Sequence, residues 1–164
     1  MADQLYHPAT DGVDHINIYT KGRTRLGRLL TNLAELALEH PVHGYFRTAE
    51  GFYYYLTTGL SDERYRVLNG FDAKRVGSQT CKVWNSTFCN EFQLGLVGKI
   101  ELNEELKALL IAFKPELPFT HYYHYGKGDN LKIVVPKGHV WQIDFWTRAR
   151  KALIDGTNLL ECVQ

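Results

Sequence analysis

The chain of 164 residues has few cysteines, little net charge and no long apolar run. Its three cysteines, Cys81, Cys89 and Cys162, are odd in number and lack CxxC spacing, which argues against a disulfide framework and a zinc motif. The formal net charge is +1 without a basic block, so there is no strong sign of nucleic-acid binding. The N-terminus has no apolar signal core, and no window reaches membrane-spanning length. We therefore expect a cytoplasmic protein without a membrane partner.

The sequence also lacks the short motifs of common catalytic and cofactor sites. Neither GxGxxG nor GxxxxGK[ST] is present, which argues against a dinucleotide-binding fold and a P-loop. The nucleophile motif GxSxG is missing as well. Two close histidine pairs, His40 with His43 and His121 with His124, have no HExxH context and no carboxylate or cysteine at ligand spacing. We predict neither a metal nor a cofactor.

The residues that are present predict one compact α+β domain, mainly helical and with a few short strands. The apolar fraction of 45% and the charged fraction of 23% are ordinary for a globular protein of this length. Residues 1–14 are polar and are interpreted as an N-terminal arm, and 15–164 as the domain. Hydrophobic spacing predicts strands at 15–19 and 131–135, helices at 61–77 and 103–114, and a second strand or a strand-to-helix passage at 139–146.

A carboxylate lies at the predicted start of a helix within HGYFRTAEGFYYYLTT, residues 43–58. Thr48 is a suitable N-cap, which places Glu50 in the first turn, where the helix dipole favours the ionised acid. Many first-turn acids only complete such a cap. Glu50 is distinguished by its neighbours, because four aromatic residues, 52–55, follow it after a single glycine. It is a candidate for contacts with ribose hydroxyls or for acid–base chemistry.

Two further segments suit a nucleotide-like ligand. Arg25 and Arg28 lie in a basic, glycine-flanked stretch that could bind phosphate, although a solvated loop is the more common interpretation. Asn32 is a polar side chain in an apolar stretch, so it needs hydrogen-bond partners from the backbone or from a ligand.

The third segment is the aromatic run 121–126, HYYHYG, whose rings could stack on a base. The ligand-binding candidates in this run are Tyr122, His124 and Tyr125. Stacking and core packing are both open interpretations of these side chains.

The order of these features resembles the NADAR (YbiA-like) family, which acts on N-glycosidic bonds of ADP-ribose-related and riboflavin-pathway compounds. The likeness is collinear over residues 16–126, which makes it more specific than any one of its short motifs. It rests on INIYTK at 16–21, LTNL at 30–33, RTAEG at 47–51, DAKRVG at 72–77, KVW at 82–84 and GKIELNEELKALLIAFKP at 98–115. The resemblance implies a YbiA-like fold.

By this resemblance Glu50 corresponds to the catalytic glutamate, Asn32 to a ligand-contacting asparagine and Trp84 to a pocket tryptophan. Such a glutamate would stabilise an oxocarbenium-like centre at C1′ or help a water attack it. The chain also departs from the family pattern. The family's lysine position falls on Thr57, its later aspartate on Tyr122 and its second tryptophan on Tyr125.

Three functions therefore stay open at the level of sequence. The first is an N-glycosidase that acts on an ADP-ribose-like or other nucleotide ligand. The second is a non-catalytic protein that sequesters a nucleotide, including a signalling nucleotide. The third is an interaction module without a small ligand. The compact size is also compatible with a viral accessory protein, and the sequence indicates no oligomeric state.

Overall fold

The computed structural model describes residues 5–164, so the first four residues of the expected arm lie outside the described part. The arm's later residues contact the domain. Pro8–Thr10 form a 3-10 turn, and the buried carboxylate of Asp11 accepts backbone N–H groups of Asn17 and Arg23 at 2.9 and 2.7 Å. These contacts fix the chain just before the first strand.

Helices make up most of the regular structure among the described residues. They are α1 (Arg25–Leu29), α2 (Ala49–Thr57), α3 (Gly70–Gly77), α4 (Phe88–Leu102), α5 (Glu104–Ala112) and α6 (Val140–Asp155). Helix α4 is central, because it packs against α2, α5 and α6 and against the strand β2 (Leu38–His40). Large side chains from these elements, including Phe52, Phe92 and Trp146, are fully buried in one core.

In the described part of the chain, six short strands form three separate pairs. Strands β1 (Ile16–Asn17) and β4 (Phe119–Thr120) are parallel, with Ile16 opposite Phe119. Two antiparallel hairpins complete the set: β2 with β3 (Gly44–Phe46), and β5 (Tyr123–Tyr125) with β6 (Lys132–Val134). The parallel pair brings the start of the domain beside the aromatic run that follows β4.

Two of the predicted elements differ from the structure. The predicted helix at 61–77 is a 3-10 turn, Glu63–Arg66, followed by a separate helix, because the Asn69 side chain accepts the Asp72 N–H at 2.9 Å and starts α3 there. The segment 139–146 is helical from Val140 onward. Its buried side chains continue along α6 at helical spacing, namely Gln142, Phe145, Trp146, Ala149, Arg150 and Ala152.

None of the described helices combines the length and the apolar character needed to cross a bilayer.

Candidate functional site

A cavity of about 480 Å³ opens where β1, the segment after α1, α2, α3, the chain after β4 and the start of α6 meet. Its size lies in the range of small-molecule sites, which are roughly 300–1,000 Å³. Two residues predicted from the sequence, Asn32 and Glu50, both line it. The remaining predicted site residues are not among its lining residues.

Glu50 enters the cavity from the first turn of α2, as the sequence predicts. The Thr48 hydroxyl accepts the Gly51 N–H at 3.1 Å, which confirms the predicted cap. The Glu50 N–H donates to the backbone carbonyl of Asn32 at 2.8 Å, so a second free N–H at this helix end is satisfied. Burial raises the pKa of Glu50 to about 7, although the charges of Lys74 and Lys82 oppose the rise.

Two glycines allow α2 to occupy this position. A Cβ atom at Gly51 would lie 2.3 Å from the backbone oxygen of Tyr65, and one at Gly77 would lie 2.1 Å from the ring of Tyr54. Any larger residue at either position would therefore push α2 away from its neighbours. The close contact of α2 with α3 brings Lys74 to the same cavity as Glu50.

A pair of amide side chains forms part of the wall. Gln142 donates through Nε2 to Oδ1 of Asn32 at 2.6 Å, and Asn32 donates in return through Nδ2 at 3.4 Å. Each amide can make further hydrogen bonds beyond this pair, so the pair can present donors and acceptors to a ligand. Sequence reasoning did not identify Gln142, which lies 110 residues from Asn32 and carries no local motif.

Lys82 adds a second cation, surrounded by aromatic rings. Its Nζ lies 3.3 Å from the hydroxyl of Tyr53, and it lies 5.6 and 5.7 Å from the ring centroids of Tyr54 and Trp84. Trp84 does not line the cavity and is 56% exposed. Its edge-to-face contact with Tyr53, at 6.0 Å, connects it to the cavity wall.

The two arginines predicted to bind phosphate make contacts with other parts of the protein. The segment forms the short helix α1, capped by Thr24, whose hydroxyl accepts the Gly27 N–H at 3.0 Å. The guanidinium of Arg25 forms an ion pair with Glu105, with one N–O distance of 2.8 Å. Arg28 donates to the backbone carbonyls of residues 22 and 23 at 2.8 and 3.0 Å. Neither arginine lines the cavity.

The aromatic run after β4 places some of its side chains in the cavity and others against the start of the domain. His121 and Tyr123 line the cavity, whereas Tyr122 between them is buried against the start of the domain. The Tyr122 hydroxyl lies 2.7 Å from Nε2 of His15, and its backbone exchanges hydrogen bonds with the Asn17 side chain at 3.0 and 3.1 Å. An extended chain alternates its side chains in this way.

The other two candidates of the run lie beyond the cavity. His124 makes an edge contact with the ring of Tyr19, at 5.7 Å between centroids. Tyr125 is 54% exposed on β5. The run thus contributes to the cavity through His121 and Tyr123, which the sequence candidates did not include.

A second polar cluster lies away from this cavity. The Glu91 carboxylate is 3.0 Å from Nε2 of His40 and 3.3 Å from Nε2 of His43, so the fold supplies the carboxylate that this histidine pair lacks in sequence. Nδ1 of His40 accepts two backbone N–H groups at 3.1 Å. The neutral ring must then carry its proton on Nε2, which leaves that nitrogen without a lone pair for a metal. The Nε2–H of His40 is instead placed to donate to the Glu91 carboxylate.

The architecture is a mainly helical α+β domain with a cavity lined by a partly buried acid and two lysines. No protein-family model and no curated protein sequence matches the chain. Among solved structures, the chain is similar to the NMR structure of the E. coli protein YbiA. The TM-score is 0.55 at 20% sequence identity, and the match covers 90% of each chain. This similarity confirms the predicted YbiA-like fold.

Proposed function

We propose that the chain binds a nucleotide or ADP-ribose-like ligand in this cavity and hydrolyses the ligand's N-glycosidic bond. The observation that carries the proposal is the partly buried carboxyl of Glu50, which lines the cavity at the start of α2 beside Lys74 and Lys82. When such a bond breaks, positive charge develops on the sugar at C1′. A carboxylate placed within a cavity is a group that stabilises this charge directly.

The other lining residues suit the remaining parts of a nucleotide. The ammonium groups of Lys74 and Lys82 can attract phosphate. The rings of Tyr19 and Tyr123 can pack against a base. The amide pair described above, Asn32 with Gln142, can form hydrogen bonds with the edge of a base or with a ribose.

A second candidate function is sequestration without cleavage. Two positions that carry charged residues in the NADAR pattern, Thr57 and Tyr122, are uncharged here and turned away from the cavity. The Thr57 hydroxyl donates to the Tyr54 carbonyl at 3.2 Å, and Tyr122 is bonded to His15. The absence of these two charged side chains favours a protein that binds a nucleotide in the cavity but does not cleave it.

Incubation with substrates followed by chromatography separates these functions. The purified chain is incubated with NAD, ADP-ribose and a cyclic dinucleotide, and a parallel thermal-shift assay measures binding. Release of a free base from at least one compound is the expected result. A thermal shift with only intact compound recovered would favour sequestration. No shift and no product with any of the three would overturn both functions.

We expect Lys74→Ala to weaken ADP-ribose binding about tenfold or more, because a charge-assisted hydrogen bond contributes roughly 1.5–3 kcal/mol. Binding of adenosine, which has no phosphate, should change little. Isothermal titration of both ligands measures the difference.

Arg75→Ala is the matched control for this prediction. Arg75 lies on the same helix but pairs with Asp72 at 3.1 Å and does not line the cavity. Arg28→Ala adds a test of the arginine predicted from the sequence, and we expect it to leave binding unchanged. An equal loss for adenosine and ADP-ribose in Lys74→Ala would contradict a phosphate contact.

A further inference from the structure

His121 has one ring nitrogen held by the backbone, and the other has no hydrogen-bond partner within the described residues. Its Nδ1 lies 2.6 Å from the carbonyl oxygen of Ile18. A carbonyl oxygen can only accept a hydrogen bond, so Nδ1 must carry a proton. In the neutral ring, Nε2 is then unprotonated. Among residues 5–164 no hydrogen-bond partner contacts this Nε2, and the ring lines the cavity.

The position of Ile18 is set by the parallel strand pair. The Ile18 N–H donates to the carbonyl of Thr120 at 2.8 Å, directly before His121 in the chain. The same pairing that places His121 in the cavity therefore also determines its tautomer. This arrangement is typical of a histidine whose second nitrogen acts as a base or a ligand.

The surroundings favour the neutral ring. Burial lowers the pKa of His121, and the nearby charges of His139 and Lys74 lower it further, although the Ile18 contact opposes the change. The ring of His139 at the start of α6 lies 5.0 Å away, and that of Tyr123 on β5 lies 5.1 Å away. The acid that shares the cavity is Glu50 on α2. At neutral pH, His121 is thus a base with a free lone pair.

We infer that His121 is the general base of the reaction and takes a proton from the attacking water. This inference rests on the proposed function. The bond from C1′ to the base nitrogen breaks, and its electron pair stays on that nitrogen. The water oxygen forms a new bond to C1′, and the water proton moves to Nε2 of His121. The imidazolium then passes that proton to the departed base or to solvent, while the Glu50 carboxylate stabilises the cationic sugar.

Two variants of His121 separate a base from a merely structural residue. His121→Asn keeps an N–H that can donate to Ile18 but has no basic nitrogen. His121→Ala leaves space that added imidazole can fill. We expect both to lower kcat about a hundredfold or more, within the usual contribution of a general base. Added imidazole should restore part of the activity of His121→Ala only, and more strongly for imidazoles with a higher pKa.

His124→Ala is the matched control, because His124 belongs to the same run and does not line the cavity. We expect it to keep kcat within a few-fold of the wild type. Nitrogen-15 NMR of the unmodified protein gives a readout without substrate, and it should show His121 protonated on Nδ1 and unprotonated on Nε2 near pH 7.

The outcomes distinguish the base role of His121 from the proposed N-glycosidase function. If the wild-type chain releases a base and His121→Asn does so equally fast, the inference fails and the proposed function stands. Loss in both variants without any imidazole rescue, or an NMR signal showing a proton on Nε2, also overturns the base role. If the wild-type chain cleaves none of the substrates, the proposed function fails and the inference falls with it.

Discussion

Glu50→Gln should lower turnover at least a hundredfold while ligand affinity changes little. Glutamine keeps the size and the hydrogen-bonding reach of the side chain but removes the negative charge that a cationic sugar requires. A positioned acid or base commonly contributes a factor of roughly 10²–10⁴. Product release measured by chromatography over time, together with titration of the intact ligand, checks both halves of this expectation.

The folding of Glu50→Gln can be checked independently through the pH dependence of its thermal stability. The pKa of Glu50 is raised to about 7 in the folded protein, against an ordinary glutamate value of 4.5. The folded state therefore holds a proton that the unfolded state releases, so its stability falls as the pH rises from about 4.5 to 7. Glutamine carries no charge at any pH. Glu50→Gln should thus melt at or above the wild-type temperature at pH 8.

Glu63→Gln is the control for this substitution, because Glu63 lies on the surface in an ion pair with Arg66. It should leave turnover unchanged. If the protein only sequesters its ligand, Glu50→Gln should instead bind worse by roughly 1–3 kcal/mol, the contribution of a hydrogen bond to a charged group, with no product from either form. Turnover of Glu50→Gln equal to that of the wild type would remove Glu50 from the mechanism.

The sequence predicts the position of Glu50 because that position depends on contacts between residues close together in the chain. The cap at Thr48 and the place of Glu50 in the first turn involve residues within three positions of one another. Local hydrogen bonding of this kind leaves a recognisable pattern in the sequence. The resemblance to a known family also groups Asn32 and Trp84 with Glu50. Asn32 and Glu50 line the cavity, whereas Trp84 does not.

The aromatic run shows what the sequence could not specify. The first five residues of HYYHYG are all aromatic histidines or tyrosines, so no alternation of apolar and polar residues marks which side faces the core. The phase is set by the register of β4 against β1, a pairing between segments about a hundred residues apart. A shift by one residue would exchange the two sides. That pairing selects His121 and Tyr123 for the cavity.

The two arginines of the basic segment, Arg25 and Arg28, also lie outside the cavity because of contacts that the sequence does not reveal. Arg25 meets Glu105, which lies 80 residues further along the chain. Arg28 donates to the carbonyls of residues 22 and 23 in the loop before α1. A glycine-flanked basic stretch indicates that guanidinium groups are available, but not whether the folded chain already provides their acceptors. The cavity obtains its cations from Lys74 and Lys82 instead.

Lys99 lies beneath this cavity, and its side chain is completely buried. Its Nζ donates to the carbonyl of Thr31 at 2.8 Å, and Thr31 itself lines the cavity. The Nζ also lies 5.8 Å from the ring centroid of Trp146. Burial lowers the pKa of Lys99 to about 7. A neutral amine still carries N–H groups, so the contact with Thr31 persists when the proton is lost.

The stability of the protein should therefore rise between about pH 7 and pH 9, by roughly 1 kcal/mol per pH unit. The folded pKa of Lys99 is about 7 and the ordinary lysine value is 10.5, so in this window the unfolded state binds up to one proton more than the folded state. For a chain of this size the change corresponds to about 2–4 °C in melting temperature per pH unit. Thermal melts at half-unit pH steps measure it.

Lys99→Met should remove this pH dependence, because methionine fills a similar volume and has no proton to lose. It leaves the Thr31 carbonyl without its donor, which costs about 1–3 kcal/mol, so the slope against pH is the diagnostic quantity and not the absolute melting temperature. Lys132→Met, on the exposed side of β6, is the matched control and should keep the wild-type slope. Parallel curves of melting temperature against pH for Lys99→Met and the wild type would contradict this prediction, because they would mean that Lys99 stays protonated in the core. A buried ammonium would need a negative partner, and residues 5–164 place none beside it.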